Sequence, residues 1–143
     1  MTTRKISAVI DGRPTLIAEA DISVREAAHR MVAAHVGSIM IVDDGLLVGI
    51  FTERDVLTRV LACDLDPAAT RVGDVMTPEP QTVTADRPLG HALHLMHDGG
   101  FRHMPVVRDG RPVGMISVRD ALGGEMLEFE HELEQRDQIT EVL

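Results

Sequence analysis

An internal repeat constrains this chain more than any other feature of its sequence. Shifted by 65 residues, the separation of Asp55 from Asp120, the chain aligns with itself without a gap. The aligned segments are ADISVREAAHRM with ADRPLGHALHLM, and IVDDGLLVGIFTERDVL with VVRDGRPVGMISVRDAL. Because a repeat fixes the architecture, and 143 residues suit one compact module, we expect two copies of one supersecondary unit that share a module.

Each copy carries the same signals for helices and strands. Near the start of each copy, apolar residues recur at helical spacing, which predicts a helix. Two short apolar runs follow, separated by Asp44-Gly45 in the first copy and by Asp109-Gly110 in the second. Asp-Gly between such runs is typical of a hairpin with a type I′ turn. With an extended segment first and a second helix beginning at Thr52 or Ser117, each copy is predicted as β-α-β-β-α.

Composition narrows the classes of function. Hydrophobic residues make up 44% of the chain and charged residues 26%, which indicates a packed core. A net charge of −9 and only 2% aromatic residues argue against nucleic-acid binding, which usually needs a basic face or aromatic stacking. The chain has one cysteine, and no apolar run approaches the roughly 20 residues of a membrane span. We therefore expect a cytoplasmic, soluble protein without nucleic-acid or membrane partners.

A short motif that could bind a ligand occurs once in each copy, at Gly49–Asp55 and at Gly114–Asp120. It consists of glycine, two apolar residues, Thr or Ser, two variable residues and Asp. The Thr or Ser can cap the following helix and the Asp can complete a capping box, worth about 0.5–2 kcal/mol. Asp in both copies also suits a carboxylate that accepts two ribose hydroxyl protons beside a helix start that favours phosphate. From the residues alone, the capping and the ligand interpretations both stay open.

Three longer segments carry a resemblance to a known family. They are VGSIMIVDDGLLVGIFTERDVL, VGDVMTPEPQTVTADRPL and FRHMPVVRDGRPVGMISVRDAL. Through them the sequence resembles tandem CBS domains, in particular the stand-alone bacterial pairs, over about Pro14 to Gly123. The resemblance implies an α+β fold of two β-α-β-β-α repeats related by pseudo-two-fold symmetry, forming one compact module. We expect repeat one with its N-terminal strand over 1–63, a linker over 64–71, repeat two over 72–123 and an acidic C-terminal helix over 124–143.

The resemblance also implies the residues of two nucleotide sites. In tandem CBS domains each cleft combines the Thr/Ser-x-x-Asp motif of one repeat with the first strand and the segment before the hairpin of the other. The first site would use Ile50, Thr52, Asp55, Thr82, Val83, Phe101, Arg102, His103 and Met104. The second site, expected to be weaker, would use Ile17, Val36, Gly37, Ser38, Met115, Ser117, Arg119 and Asp120.

The function implied by the resemblance is regulatory or sensory, not enzymatic. No nucleophile-and-base order, glycosidase carboxylate pair or phosphate-binding loop is recognisable in the sequence. The expected ligand is AMP, ADP, ATP or a related adenosyl compound, and no cofactor is required. We also expect a homodimer and an unidentified regulated protein as partner. The alternative is a ligand-free dimerisation or partner-docking module.

Three histidines invite a metal interpretation that we do not favour. His91, His94 and His97 recur three residues apart on the first helix of repeat two, opposite its apolar stripe. No cysteine or second element is placed to complete a zinc site, so we predict no metal. Exposure to solvent and contact with a partner subunit both stay open for these histidines, and also for the acidic tail beyond Gly124.

Overall fold

Short strands and helices alternate along the part of the chain that the computed structural model describes, residues 4–122 and 132–138. In chain order they are α1 (Ile6–Ile10), β1 (Ile17–Glu19), α2 (Val24–Ala34), β2 (Ser38–Asp43), β3 (Leu46–Thr52), α3 (Glu53–Asp55), a π-helical segment (Val56–Leu61), α4 (Val72–Val75), β4 (Thr77–Pro78), α5 (Leu89–Gly99), β5 (His103–Arg108), β6 (Arg111–Ser117) and a 3₁₀ segment (Val118–Leu122). Residues 132–138 are helical. The rest of the predicted tail helix lies outside the described residues.

The strand pairing confirms the predicted α+β repeat. β1, β2, β3 and β4 form one sheet in that order, with β1 parallel to β2 and the other pairs antiparallel. β5 and β6 form a second, antiparallel sheet. Ala18 pairs with Ile41 in the first sheet, and Val83 pairs with Val106 in an isolated parallel bridge beside the second. Since these two pairs occupy matching positions, the second unit repeats the pairing of β1, β2 and β3.

Both hairpin turns have the predicted type I′ geometry. The backbone φ angle is 51° at Asp44 and 78° at Gly45, and 52° at Asp109 and 77° at Gly110. Positive φ at both central residues is what a type I′ turn requires. The two turns also meet, because the backbone N–H of Leu47 donates to the carbonyl of Gly110 at 2.9 Å. The hairpins of the two repeats therefore lie against each other.

The second helix of each unit differs between the repeats. Thr52 forms a complete capping box with Asp55, and α3 begins there and continues into the π-helical segment. After Ser117 the described chain forms only 3₁₀ turns. A full capping box fixes the first helical turn, and it accompanies the α-helical start after Thr52.

Each of the two hydrophobic cores is completed by a short helix from outside its own repeat. Val72 and Val75 of α4 are buried in the core of repeat one. Ile6 and Val9 of α1 are buried in the core of repeat two. Burying an aliphatic side chain contributes about 1.5–3 kcal/mol, so each exchanged helix contributes substantially to the core that it enters. The two repeats are thereby coupled in stability.

Backbone hydrogen bonds hold the exchanged helices in equivalent positions. The N–H of Ile6 donates to the carbonyl of Arg87 at 2.9 Å, and the N–H of Val72 donates to the carbonyl of Ile22 at 2.8 Å. The acceptors are separated by the repeat offset of 65 residues and the donors by 66, so the two bonds lie at equivalent places of the two repeats. No helix among the described residues is long and apolar enough to cross a membrane.

The exchange also explains the glycine of the repeated motif, a role that sequence analysis left unassigned. A Cβ atom on Gly114 would lie 2.8 Å from Cγ2 of Ile10, at the end of α1. A Cβ atom on Gly49 would overlap the sulfur of Met76, directly after α4. Each glycine therefore lets an exchanged helix approach the strand that ends at the motif.

Candidate functional site

A cleft of about 650 Å³ opens between the two repeats. Its walls come from the end of β3 and the following helix in repeat one, from the segment around β4, and from the residues that lead into β5. The lining residues are Ile50, Thr52, Glu53, Arg54, Asp55, Leu57, Thr77, Pro80, Gln81, Gly100, Phe101, Arg102 and His103. A volume of this size lies within the range of roughly 300–1,000 Å³ that is typical of small-molecule sites.

Asp55 is an almost buried carboxylate in this cleft, with 8% of its surface exposed. Its Oδ2 atom accepts hydrogen bonds from the backbone N–H of Thr52 at 3.0 Å and from the Thr52 hydroxyl at 3.1 Å. The Asp55 N–H donates back to the Thr52 hydroxyl at 3.3 Å. The capping interpretation of the motif is thus confirmed, and it uses only one of the two carboxylate oxygens.

The other oxygen of Asp55 is weakly engaged. Oδ1 lies 3.5 Å from Nε of Arg59, beyond the usual length of a hydrogen bond. Arg59 directs its Nη1 instead to the carbonyl of Met76, at 3.0 Å. Oδ1 thus has a long ion pair with Arg59 as its contact and can accept shorter hydrogen bonds from a ligand.

Basic side chains share the cleft with two carboxylates. Arg54, Arg102 and His103 line it together with Glu53 and Asp55. Burial lowers the pKa of His103, a shift that the Glu53 carboxylate opposes and that nearby arginines reinforce. His103 is consequently neutral near pH 7, while the two arginines in the lining keep their positive charge.

The structure brings together six of the nine residues predicted for the first site. Ile50, Thr52, Asp55, Phe101, Arg102 and His103 all line the cleft. Val83 and Met104 instead lie in the core of repeat two, because alternate residues of a strand point to opposite faces. Thr82 is half-buried and is not among the lining residues. Ligand contacts for these three residues stay a prediction.

Sequence analysis missed seven of the lining residues. They are Glu53, Arg54, Leu57, Thr77, Pro80, Gln81 and Gly100. Glu53 and Arg54 are the two variable residues of the motif itself, and Gly100 directly precedes the predicted Phe101. The signal that could have found these three was their position next to predicted site residues.

The second carboxylate, Asp120, is as buried as Asp55, with 9% of its surface exposed, but has different partners. Its Oδ2 atom accepts from the backbone N–H of Ser117 at 2.8 Å. Its Oδ1 atom accepts from Nη2 of Arg13 at 2.6 Å. Nη2 of Arg4 donates to the Asp120 carbonyl at 2.9 Å. Both arginines lie more than 100 positions from Asp120, so no local pattern signalled them.

The remaining residues predicted for the second site differ in burial. Ile17, Val36 and Arg119 are exposed, Gly37, Met115 and Ser117 are half-buried, and Ser38 is buried. The carbonyl of Gly37 accepts a hydrogen bond from the N–H of Glu53 at 2.9 Å, which ties this segment to the lining of the first cleft. Their grouping around a ligand stays a prediction.

The three histidines of α5 are not among the residues that line the cleft. His91, His94 and His97 are exposed. Within residues 4–122 and 132–138, no three His, Cys, Asp or Glu side chains are grouped so that they could hold a metal ion. A contact of these histidines with a partner subunit stays a prediction.

Comparison with known proteins places this geometry among known folds. The family model described as CBS domain matches residues 6–62 and 72–124. The CBS domain-containing protein CBSCBSPB5 of Arabidopsis thaliana is 39% identical over 99 residues, which cover 68% of this chain. The chain spans only 18% of the length of that relative.

Two similar solved structures contain adenosine compounds. A CBS domain protein from Pyrobaculum aerophilum, complexed with AMP, is 27% identical with a TM-score of 0.75, and the match covers 82% of this chain and 89% of that one. A CBS domain pair in complex with 5′-methylthioadenosine and S-adenosyl-L-methionine is 28% identical with a TM-score of 0.74, covering 82% of this chain and 96% of that one.

Proposed function

This chain belongs to the CBS domain family, and from that premise we propose that it is a regulatory module that binds an adenine nucleotide between its repeats. The observation that carries the proposal is Asp55, an almost buried carboxylate in a cleft of ligand size with one oxygen open to a new donor. AMP, ADP, ATP and related adenosyl compounds are the candidate ligands. AMP and S-adenosyl-L-methionine in the similar structures support this class.

Asp55 is suited to hold a ribose. Its Oδ2 atom is fixed by Thr52, so the carboxylate cannot rotate freely, and Asp55 lines the cleft. Hydrogen bonds to an ionised group contribute about 1.5–3 kcal/mol, roughly twice as much as neutral ones. Two vicinal hydroxyls of a ribose would satisfy an acceptor of this kind.

The residues that lead into β5, together with Arg54, are suited to hold phosphate. Arg102 can bind phosphate oxygens with two parallel N–H groups, and Arg54 adds a second permanent positive charge. His103 is neutral in the protein alone, because burial lowers its pKa, and it would become protonated as a phosphate approached. Phe101 and Pro80 supply apolar surface for the base, since the chain has no Trp or Tyr.

A ligand in this position would act on the packing of the repeats. The walls of the cleft come from both repeats, so a nucleotide that contacts Asp55 and Arg102 would bridge them. A ligand shifts a conformational equilibrium by its difference in affinity for the two states, and a bridging ligand favours the closed arrangement. We propose that this shift, and not catalysis, is the output of the module.

We also propose that the protein acts in the cytoplasm as a homodimer. Several large apolar side chains are exposed on the chain alone, among them Val32 (74%), Leu57 (61%) and Leu61 (55%). A two-fold dimer would cover such surface with a self-complementary patch. Light scattering should give twice the mass of the chain, and a monomer at micromolar concentration would contradict this part of the proposal.

The function is tested by calorimetric titration of AMP, ADP, ATP and S-adenosyl-L-methionine into the wild type, Asp55→Asn and Asp120→Asn. Asp55→Asn keeps the shape of the side chain and removes its charge, so affinity should fall by about 1.5–3 kcal/mol, roughly 10- to 150-fold. Asp120→Asn, the same change at the matching position, controls for charge and should leave this affinity within about twofold.

Two outcomes would contradict the proposal. If none of the four compounds binds the wild type at millimolar concentration, the ligand-free docking module becomes the better function. If a compound binds equally well to Asp55→Asn and the wild type, the motif acts only as a helix cap. In both cases thermal unfolding should be compared as well, because a true ligand at 100 times its dissociation constant stabilises the folded state by about 2.7 kcal/mol.

A further inference from the structure

The two buried carboxylates that the repeated motif places in matching positions are not equally accessible to a ligand. Oδ1 of Asp55 faces Nε of Arg59 at 3.5 Å. Oδ1 of Asp120 is bound by Nη2 of Arg13 at 2.6 Å, the length of a strong, charge-assisted hydrogen bond. The atom that would accept ribose hydroxyls in a second site is therefore already bound by a side chain of the same protein.

The contact of Arg13 with Asp120 is part of a wider attachment of the N-terminal segment to repeat two. Arg4, just before α1, donates to the Asp120 carbonyl at 2.9 Å. Thr15, just before β1, donates from its hydroxyl to the carbonyl of Val113 at 3.3 Å. Arg13 lies between these two anchors, and they hold it close to Asp120.

The first cleft has no counterpart of Arg13. The segment that follows α4 matches the one that follows α1, and Pro78 and Glu79 stand there in place of an arginine. Pro78 has no N–H to donate, and Glu79 carries a negative charge that would repel Asp55. This segment also pairs with β3 through Thr77 and Ile50, which fixes it along the sheet. The sequence therefore determines that Asp120, and not Asp55, receives an arginine from this segment.

We propose that Arg13 is an internal occupant of the predicted second nucleotide site, called the second cleft below, where its guanidinium binds Asp120 in place of a ribose. The chain then takes one nucleotide, in the first cleft, and a second only when Arg13 is displaced. The inference rests on the proposed function, since it concerns the same class of ligand. The Arg13 side chain is 48% exposed, so it can leave Asp120 for solvent and compete reversibly with a ligand.

Competition of this kind lowers the affinity of the second site relative to the first. A ligand in the second cleft must break a charge-assisted hydrogen bond of 2.6 Å before it can form its own, whereas a ligand in the first cleft competes only with the 3.5 Å ion pair between Asp55 and Arg59. A charged hydrogen bond of about 1.5 kcal/mol or more corresponds to about a tenfold or greater difference in dissociation constant. Arg13 would therefore decide how many nucleotides the chain holds at a given concentration.

The test uses AMP as probe on the full chain, with calorimetry for affinity and equilibrium dialysis for stoichiometry. The wild type should bind one AMP per chain, and Arg13→Ala should bind two, with the affinity of the second site raised about tenfold or more. Arg13→Gln retains a polar side chain without the charge and should behave like Arg13→Ala. Arg30→Ala is the matched control, because it removes an arginine and its exposed 3.0 Å pair with Glu26 on α2.

Combined variants assign each bound AMP to a cleft. In the Arg13→Ala background, Asp120→Asn should remove the second AMP and keep the first, and Asp55→Asn should do the reverse. Two AMP molecules per chain in the wild type would overturn the inference and leave the proposed function standing. One AMP in both the wild type and the two Arg13 variants, or weaker binding in those variants, would overturn it too. No binding by any variant would overturn the proposed function itself.

Discussion

Asp55 and Asp120 occupy matching positions of the two repeats and are equally buried, yet different groups bind them. In both, Oδ2 accepts a hydrogen bond from the backbone N–H three residues earlier, at 3.0 Å from Thr52 and at 2.8 Å from Ser117. The Thr52 hydroxyl adds a second hydrogen bond to Oδ2 of Asp55, at 3.1 Å. The larger difference lies at Oδ1, with Arg59 of the following helical segment at 3.5 Å in one repeat and Arg13 from the distant N-terminal segment at 2.6 Å in the other. The local motif thus engages Oδ2 in both repeats, and only Asp120 has a partner distant in sequence at Oδ1.

A second difference lies on the wall opposite each carboxylate. Repeat two has Arg102-His103 before its hairpin, and repeat one has Gly37-Ser38 at the matching positions. The cleft that contains Asp55 therefore has cationic side chains in its lining. Under the proposed function, the two differences together favour a phosphorylated ligand beside Asp55 over one beside Asp120.

The largest expected effect is a loss of stability when the exchanged helices are altered. It tests whether the two repeats are independent of each other. Ile6→Ala should lower the free energy of unfolding by about 2–5 kcal/mol, because it opens a cavity in the core of repeat two. Val72→Ala should do the same in repeat one, with a smaller loss because valine is smaller. Urea denaturation measures both losses, and Arg30→Ala, which removes only an exposed ion pair on α2, should be nearly neutral.

Hydrogen exchange locates the damage. If the helices are exchanged as described, Ile6→Ala reduces amide protection first in β5 and β6 of repeat two, although Ile6 lies within repeat one of the chain. Loss of protection in β2 and β3 instead would contradict the exchange. Equal loss everywhere would show that the two cores unfold as one cooperative unit.

The next largest effect is expected on AMP affinity, from Arg102 in the lining of the first cleft. Repeat one has Gly37 at the matching position. Arg102→Ala should weaken AMP binding by about 1.5–3 kcal/mol, because a charged hydrogen-bond donor to phosphate is lost. Adenosine, which has no phosphate, should lose little. Calorimetric titration with both compounds gives the ratio of the two losses, and Arg30→Ala on α2 serves as control. Equal losses for AMP and adenosine would remove Arg102 from the phosphate site.

A smaller difference in stability is expected when the capping residue of each motif is replaced. Thr52→Ala should cost about 0.5–2 kcal/mol of stability, because the Thr52 hydroxyl both accepts from and donates to Asp55. Ser117→Ala should cost less, since among residues 4–122 the hydrogen bond to Asp120 comes from the Ser117 backbone N–H. Thermal unfolding of the two variants compares them. A larger loss for Ser117→Ala would contradict the difference in helix formation between the repeats.

Local patterns were sufficient to predict most of the fold. The helical apolar spacing, the Asp-Gly turns and the offset of 65 residues led to α2, α5 and both hairpins. The exchange of α1 and α4 could not be derived in this way, because both helices are short and the cores that they enter are distant in sequence. The close approach of Met76 to Gly49 and of Ile10 to Gly114 could not be predicted for the same reason.

The candidate site was predictable to the extent that it follows from the motif. Asp55 and Arg102 were placed in one cleft from the repeat and the family resemblance, and both line it. The partner of Asp120 was not predictable, because Arg13 lies in a segment without a repeated pattern and reaches repeat two only in the folded chain. Val83 and Met104 show the same limit, since strand direction decides whether a residue faces the core or the cleft.

The smallest expected effect, a change in the pH dependence of stability, comes from His103. Burial lowers its pKa, which Glu53 opposes and Arg119 and Arg102 reinforce. Between this lowered value and the unfolded value of about 6.5, the unfolded chain binds more protons than the folded one. Stability therefore rises with pH in that window, and it falls when the pH is lowered from 7.5 to 5.5.

His103→Ser gives repeat two the residue that repeat one has at the matching position, Ser38, and it should flatten this part of the pH profile. Urea denaturation between pH 5.5 and 7.5 measures the slope, and His94→Ser controls for the loss of an exposed histidine. Saturating AMP should flatten the wild-type slope as well, because a phosphate beside His103 favours the protonated imidazole and raises its pKa. Adenosine should not. An unchanged slope in His103→Ser would mean that other groups cause the pH dependence, and a slope unaffected by AMP would place the phosphate away from His103.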